Sequence, residues 1–208
     1  MLDLAQRLQG RPIPDLRLTE SQFEKEFADI KAEWVDGQVI IMAPVCREHA
    51  DLNGWLFRLL SEFVEHHDLG SVLGLEFPMR VVPIRTWRCP DIMFVGTAKL
   101  SRLHPTYLAG GPDLVMEIVS PDGEARDWRD KYNEYESTGV REYWVVDPLS
   151  KRVDAYALSR SKHYSQIQPD DEGRIYSKTL RGLHIRPDWL WHSPLPKLSG
   201  VLKELKLR

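Results

Sequence analysis

A mixed α/β (α+β) fold, one β-sheet with helices at its side, is what three features of this 208-residue sequence predict. Short apolar runs of strand length recur between residues 33 and 147. Two longer stretches with helical spacing, at about 47–67 and 124–138, interrupt them. Turn signals, Asp36-Gly37 foremost, separate the runs. Strands and helices arranged this way bury one another as layers around a common core. The length suits one such core, so residues 1–208 are read as a single domain.

Residues 10–18 read as an extended entry segment. Thr19-Glu20-Ser21-Gln22 forms a capping box, in which the first and last side chains satisfy each other's backbone N–H. A helix is therefore expected over 20–31, with Phe23 and Phe27 on one face. Glu33-Trp34-Val35 and the apolar run 38–42 flank Asp36-Gly37, a pair suited to the left-handed turn of a β-hairpin. From residue 47, Leu52, Leu56, Leu59, Leu60 and Phe63 recur on one helical face, and Gly70 ends the run. Strands are expected at 71–76 and 78–84. Next come the two that carry Asp91 and Glu117, with Gly110-Gly111-Pro112 in the loop between them. The second helix runs to Gly139, and residues 140–147 form another buried strand. Segments 152–158, 163–167 and 179–185 are expected to extend the same sheet as antiparallel strands. Residues 187–208, mixing Pro with Lys, are expected to pack loosely. Trp55 and Trp144 are assigned to the core, and Tyr132, Tyr135 and Tyr143 to packing where the second helix meets the next strand.

Composition narrows the class. A hydrophobic content of 42% and a charged content of 28% are those of an ordinary globular protein. No run approaches ~18 apolar residues, so no membrane span is expected. Met1-Leu2-Asp3-Leu4-Ala5-Gln6 lacks the basic start and long apolar core of a signal peptide, and a cytoplasmic location is expected. Cys46 and Cys89 form no CxxC pair and suggest neither zinc nor a disulfide framework. A net charge of −3 argues against holding nucleic acid by bulk electrostatics, but not against an enzyme that acts on it.

The chemistry concentrates in residues 89–147. Asp91 opens one apolar run and Glu117 nearly closes another. A carboxylate in a buried strand is expensive unless paired. Neighbouring strands lie about 4.8 Å apart, so two carboxylates at facing strand ends could hold one Mg²⁺ or Mn²⁺. Such an ion would lower the pKa of a bound water and absorb charge on a reacting phosphate. Each candidate has a plainer reading. Asp91 could accept turn hydrogen bonds at a strand start. Asp127, Lys131 and Tyr135 share a helical face, where Lys131 could reach the site or simply pair with Asp127 at the surface. Glu33 could add a third carboxylate or sit exposed at a strand end. His49 could contact a phosphate or cap a helix start. Arg88, among Arg80, Arg85, Arg102, Arg126 and Arg129, could bind a phosphate or be solvated surface. GxGxxG, P-loop, HExxH and GxSxG motifs are absent from the sequence.

Taken in order, these residues resemble the Uma-type endonuclease family, a branch of the PD-(D/E)XK nuclease superfamily. The likeness covers about residues 20–185. It rests on Glu33 with Asp36-Gly37, His49, Pro90-Asp91, the run from Pro112 to Pro121 around Glu117, Asp127, Lys131, Tyr135, and Gly139 through Pro148. It implies a restriction-endonuclease-like core, metal ligands at Asp91 and Glu117, Glu33 as an added acidic member, and DNA as substrate. The superfamily pattern places lysine two residues after the glutamate, where this chain has Val119, and the resemblance implies that Lys131 supplies the ammonium instead. The expected activity is Mg²⁺-dependent hydrolysis of DNA phosphodiesters, with Asp91, Glu117, Lys131 and Glu33 catalytic and His49 and Arg88 on the substrate. A homodimer is expected as well. The alternative is a nuclease fold kept as a non-catalytic binding module.

Overall fold

The computed structural model describes residues 12–27, 30–42, 45–74, 77–120 and 125–207, with the backbone alone at 125–128. Two six-stranded mixed sheets appear where the sequence suggested one. The first contains β1 (Pro12–Arg17), β2 (Ala32–Val35), β3 (Gln38–Ile41), β5 (Met79–Val81), β6 (Thr86–Arg88) and β8 (Leu108–Ala109), in the order β1-β3-β2-β6-β5-β8. The second contains β4 (Gly70–Gly74), β7 (Ile92–Gly96), β9 (Leu114–Ile118), β10 (Glu142–Asp147), β11 (Arg152–Leu158) and β12 (Tyr164–Gln166), in the order β12-β11-β10-β9-β7-β4. Among the described residues only β5–β8 and β9–β10 pair in parallel.

Local chemistry explains several boundaries. The β2–β3 hairpin turns on Asp36 and Gly37, both at positive φ (44° and 89°), as a tight turn between strands requires. Helix α1 (Glu20–Glu26) begins at the expected capping box: Gln22 N–H donates to the Thr19 hydroxyl and Thr19 N–H to the Gln22 side chain. It ends at Glu26, short of the expected residue 31, and residues 28–29 of that expectation lie outside the described residues. Strand β5 stops at Val81 because Pro83 starts a single 3₁₀ turn, after which Arg85, at φ 50°, reverses the chain into β6.

The second sheet is covered on both faces. Helix α2 (Arg47–His66) lays Leu52, Leu56, Leu59, Leu60 and Phe63 on Ile92, Phe94, Leu114, Met116, Trp144 and Val146. Each such side chain contributes about 1.5–3 kcal/mol by leaving water. The other face meets helix α3 (Ala125–Thr138) and the β5/β8 end of the first sheet, through Met93, Val95, Val115, Tyr135, Tyr143, Val145, Met79, Val81 and Leu108. The first sheet keeps a small core of its own around Phe23, Trp34, Val39 and Trp87.

Two expectations at the C-terminal end are corrected. Residues 179–185 do not extend the main sheet. Only β14 (His184–Ile185) is strand, and it pairs with β13 (Ile175–Tyr176) in a separate ribbon. Residues 187–207 are not loosely packed. A 3₁₀ turn (Pro187–Trp191) and helix α4 (Leu198–Glu204) bury Leu190, Val201, Leu202, Leu205 and Leu207 in the α2 core, and the Trp55 indole N–H donates to Pro196 O. Among the described residues no helix is long and apolar enough to cross a membrane.

Candidate active site

The chain leaves the first sheet at Arg88 and enters the second at Ile92, so Cys89-Pro90-Asp91 bridges the two. Glu33 and Arg88 come from the first sheet, Glu117 from the second, and Asp91 from the link itself. The seam gathers them.

Strands β7 and β9 run antiparallel with Ile92 opposite Met116. One step further β7 has not yet begun, and Ile118 N–H is taken by the side chain of Asp91, at 2.8 Å from Oδ2. This holds the Asp91 carboxylate beside Glu117. Glu117 is 8% exposed, on the face covered by α3. Two residues one turn apart on that helix meet it: Lys131 Nζ donates to Oε2 at 3.2 Å, and the Tyr135 hydroxyl donates to Oε1 at 2.6 Å. Asp127 lies on the same helix, and its side chain falls outside the described residues.

Glu33 lies in β2, 2% exposed, so it is not the exposed strand-end residue of the plainer reading. Cys89 N–H and Arg88 Nη1 donate to its two oxygens at 3.0 and 2.6 Å. Arg88 also donates from Nε and Nη2 to Glu134 of α3, at 2.8 and 2.7 Å. Here the structure corrects the phosphate-binding expectation for Arg88. It is 2% exposed and its guanidinium is held between two carboxylates, so it ties α3 to the first sheet and braces Glu33. Sequence reading missed this because Glu33 and Glu134 lie far from Arg88 along the chain. His49, in the first turn of α2, reaches Asp91 Oδ2 with Nε2 at 3.2 Å, while its buried Nδ1 has no hydrogen-bond partner among the described residues.

Electrostatics set these groups apart. Burial, with the charges of Asp91 and Glu33, pushes the Glu117 carboxyl up to about 7 despite the opposing pull of Lys131 and Tyr135. Burial would also raise Glu33, but the charges of Arg88 and Lys131 and the bond from Cys89 outweigh it and hold it below the usual range. Burial lowers His49, yet its bond to Asp91 and the charges of Asp91 and Glu117 prevail, and its pKa is raised. Burial and the neighbouring carboxylates keep the Tyr135 hydroxyl protonated far into the alkaline range.

Four carboxylates (Glu33, Asp91, Glu117, Glu134) thus surround two fixed cations, Arg88 and Lys131. A carboxyl raised by its acidic neighbours is a place where a divalent cation is welcome. The oxygen donors of Asp91 and Glu117 suit a hard ion such as Mg²⁺ or Mn²⁺. Among the described residues no group of three or more His, Cys, Asp and Glu side chains is arranged to hold a metal. The fit is therefore to an ion that takes two carboxylates and completes its shell with water and substrate oxygens, the habit of Mg²⁺.

Comparisons with known proteins bear on family and fold. A family model described as "Uma2: Putative restriction endonuclease" matches residues 17–191. The "Uncharacterized protein slr1290" of Synechocystis sp. is 27% identical over 183 residues, covering 86% of this chain and 93% of that one. A crystal structure titled "a putative nuclease belonging to DUF820" from Anabaena variabilis superposes with a TM-score of 0.64 at 17% identity, over 77% of this chain and 89% of that one. At that identity the likeness is one of fold.

Proposed function

The chain belongs to the Uma2 family, and from that membership and the geometry of the seam we propose that it is a metal-dependent endonuclease hydrolysing phosphodiester bonds of DNA. The observation that carries the reading is the approach of Lys131 Nζ to Glu117 Oε2, at 3.2 Å, where Asp91 meets the same strand. This brings the ammonium that the superfamily places on the strand to the same carboxylate from a helix.

Asp91 and Glu117 would hold Mg²⁺ or Mn²⁺. When bound, the ion supplies Lewis acidity toward a phosphoryl oxygen and lowers the pKa of a water ligand. Lys131 Nζ, a compact charge with three donors, orients the attacking water and stabilises the negative charge that grows on the phosphate. Glu33 is a poor base, because both its oxygens accept hydrogen bonds and its pKa is lowered. It supports the site through its charge. His49 steadies Asp91 from the start of α2. A homodimer of such chains would address both strands of a duplex, and sedimentation of the purified protein tests this.

The test is cleavage of single- and double-stranded DNA by purified protein with Mg²⁺ or Mn²⁺, compared with Asp91→Ala, Glu117→Ala and Lys131→Ala. Cleavage that needs the ion and disappears in the variants is expected. An inert wild type, or cleavage indifferent to Glu117→Ala, overturns the reading. One observation favours a non-catalytic module: Val119 stands at the strand position of the lysine, and Lys131 is tied to Glu117. Calorimetric titration with Mn²⁺ speaks to that alternative, since a purely structural cluster shows no binding that Asp91→Ala abolishes.

A further inference from the structure

Tyr135 contributes a ring to the core. It is fully buried and packs edge-on against Tyr143 with centroids 5.1 Å apart. Packing accounts for the ring but not for the hydroxyl, which donates to Glu117 Oε1 at 2.6 Å, among the shortest side-chain hydrogen bonds in the molecule. The three acidic side chains of the seam are held differently. Asp91 accepts from the main chain of Ile118, and Glu33 from the main chain of Cys89. Glu117 is held by two side chains of one helix, Tyr135 on one oxygen and Lys131 on the other. Lys131 is long and flexible, whereas the Tyr135 ring is locked by its neighbours. A glutamate with three rotatable bonds, beside two other carboxylates, would otherwise swing away from them.

Resting on the proposed endonuclease function, we infer that Tyr135 is a positioning residue of the site: its hydroxyl fixes the plane of the Glu117 carboxylate so that this group and Asp91 can share a divalent cation. Tyr135 does not itself touch the ion or the substrate. Outer donors of this kind orient ligands, and their removal weakens metal affinity or activity by about 10–100-fold.

Calorimetric titration with Mn²⁺ tests this on the wild type, Tyr135→Phe, Tyr164→Phe and Glu117→Ala, with a thermal melt of each. Tyr164 belongs to the same ring cluster and its hydroxyl donates to Val140 O, so its variant loses a buried hydroxyl without touching Glu117. Wild type and Tyr164→Phe are expected to bind alike and Glu117→Ala not at all. Tyr135→Phe is expected to melt cooperatively, bind about 10–100-fold more weakly and lose kcat by a similar factor with little change in KM for DNA. Unchanged Mn²⁺ affinity in Tyr135→Phe overturns the inference and leaves the endonuclease reading standing. Equal weakening in Tyr164→Phe overturns it too, as a packing effect. A wild type that binds no Mn²⁺ removes both. Should Tyr135→Phe fail to fold, the unaltered protein labelled with ¹³C at tyrosine Cζ provides the readout. The Tyr135 resonance is expected to shift with Mg²⁺ at the calorimetric midpoint, and a resonance indifferent to Mg²⁺ overturns the inference.

Discussion

Glu117 and Glu142 sit on neighbouring parallel strands, both inside the protein, and face opposite sides of one sheet. Glu142 is 0% exposed, and four neutral donors surround it: the Trp144 indole at 2.6 Å, the Ser177 hydroxyl at 3.0 Å, and the main-chain N–H groups of Lys178 and Thr179 at 2.9 and 2.6 Å. Its charge is spread over dipoles that belong to the fold, and it pins the 177–179 turn to β10. Glu117 receives one neutral donor and one lysine, and it faces two further carboxylates. Under the proposed function, the difference separates a buried carboxylate that serves architecture from one that serves chemistry. The first is met by neutral dipoles alone, and the second shares a single lysine with its acidic neighbours.

Substitution should divide the pair. Glu117→Ala is expected to lower DNA cleavage by more than about a hundredfold, the upper range for an outer partner alone, while the melting curve stays cooperative. Activity near wild type in that variant would erase the distinction. Glu142→Ala is expected to act on stability: it leaves several buried donors unmet, at about 1–3 kcal/mol each, and a loss of about 3 kcal/mol or more should appear in urea unfolding. Cleavage by the folded fraction should persist. Finding the protein as stable as wild type would show that water replaces the carboxylate easily.

A third experiment uses pH. Burial and its acidic neighbours raise Glu117 from the usual 4.5 to about 7, so between those values the folded state keeps a proton that the unfolded chain has released. Its contribution to stability is complete below 4.5 and fades as pH rises through about 7. Glu33, whose carboxyl is lowered, acts in the opposite sense: its contribution is present above 4.5 and fades as pH falls below that value. In chelator, the urea midpoint should therefore decline from pH 4.5 toward 7. Glu117→Gln should flatten that slope, and saturating Mn²⁺ should oppose it. The smallest effect calibrates the rest. Thr19→Ala removes the α1 cap, remote from both carboxylates in the chain, and should cost about 1 kcal/mol without touching catalysis.

What the sequence made legible was local. The Thr19 capping box, the Asp36-Gly37 turn and the Leu52-to-Phe63 stripe each declare themselves within a dozen residues, and each forms where expected. The division into two sheets did not, because strand partnership is settled by contacts distant in sequence. Thr179 to Ile185 read as another strand of the main sheet, since nothing in those residues shows that Glu142 binds the turn before them. Arg88 read as a phosphate contact or solvated surface, and not as a buried brace, for the same reason: its neutralising carboxylates are 55 and 46 positions away. Asp91 and Glu117 stood out because a charge amid apolar runs is conspicuous in sequence, whereas Lys131, on a polar helix, drew a role only from the family resemblance. Tyr135 did not, since a tyrosine at helical spacing looks like filling whether or not its hydroxyl has work.

The short link Cys89-Pro90-Asp91 carries an implication of another kind. Glu33 is delivered by one sheet and Glu117 by the other, and the link that holds Asp91 is where the two are stitched together. An intermediate that has assembled one sheet before the other, on the ribosome or after stress, owns an incomplete set of groups. Under the proposed function, cleavage would therefore require both sheets to be in place.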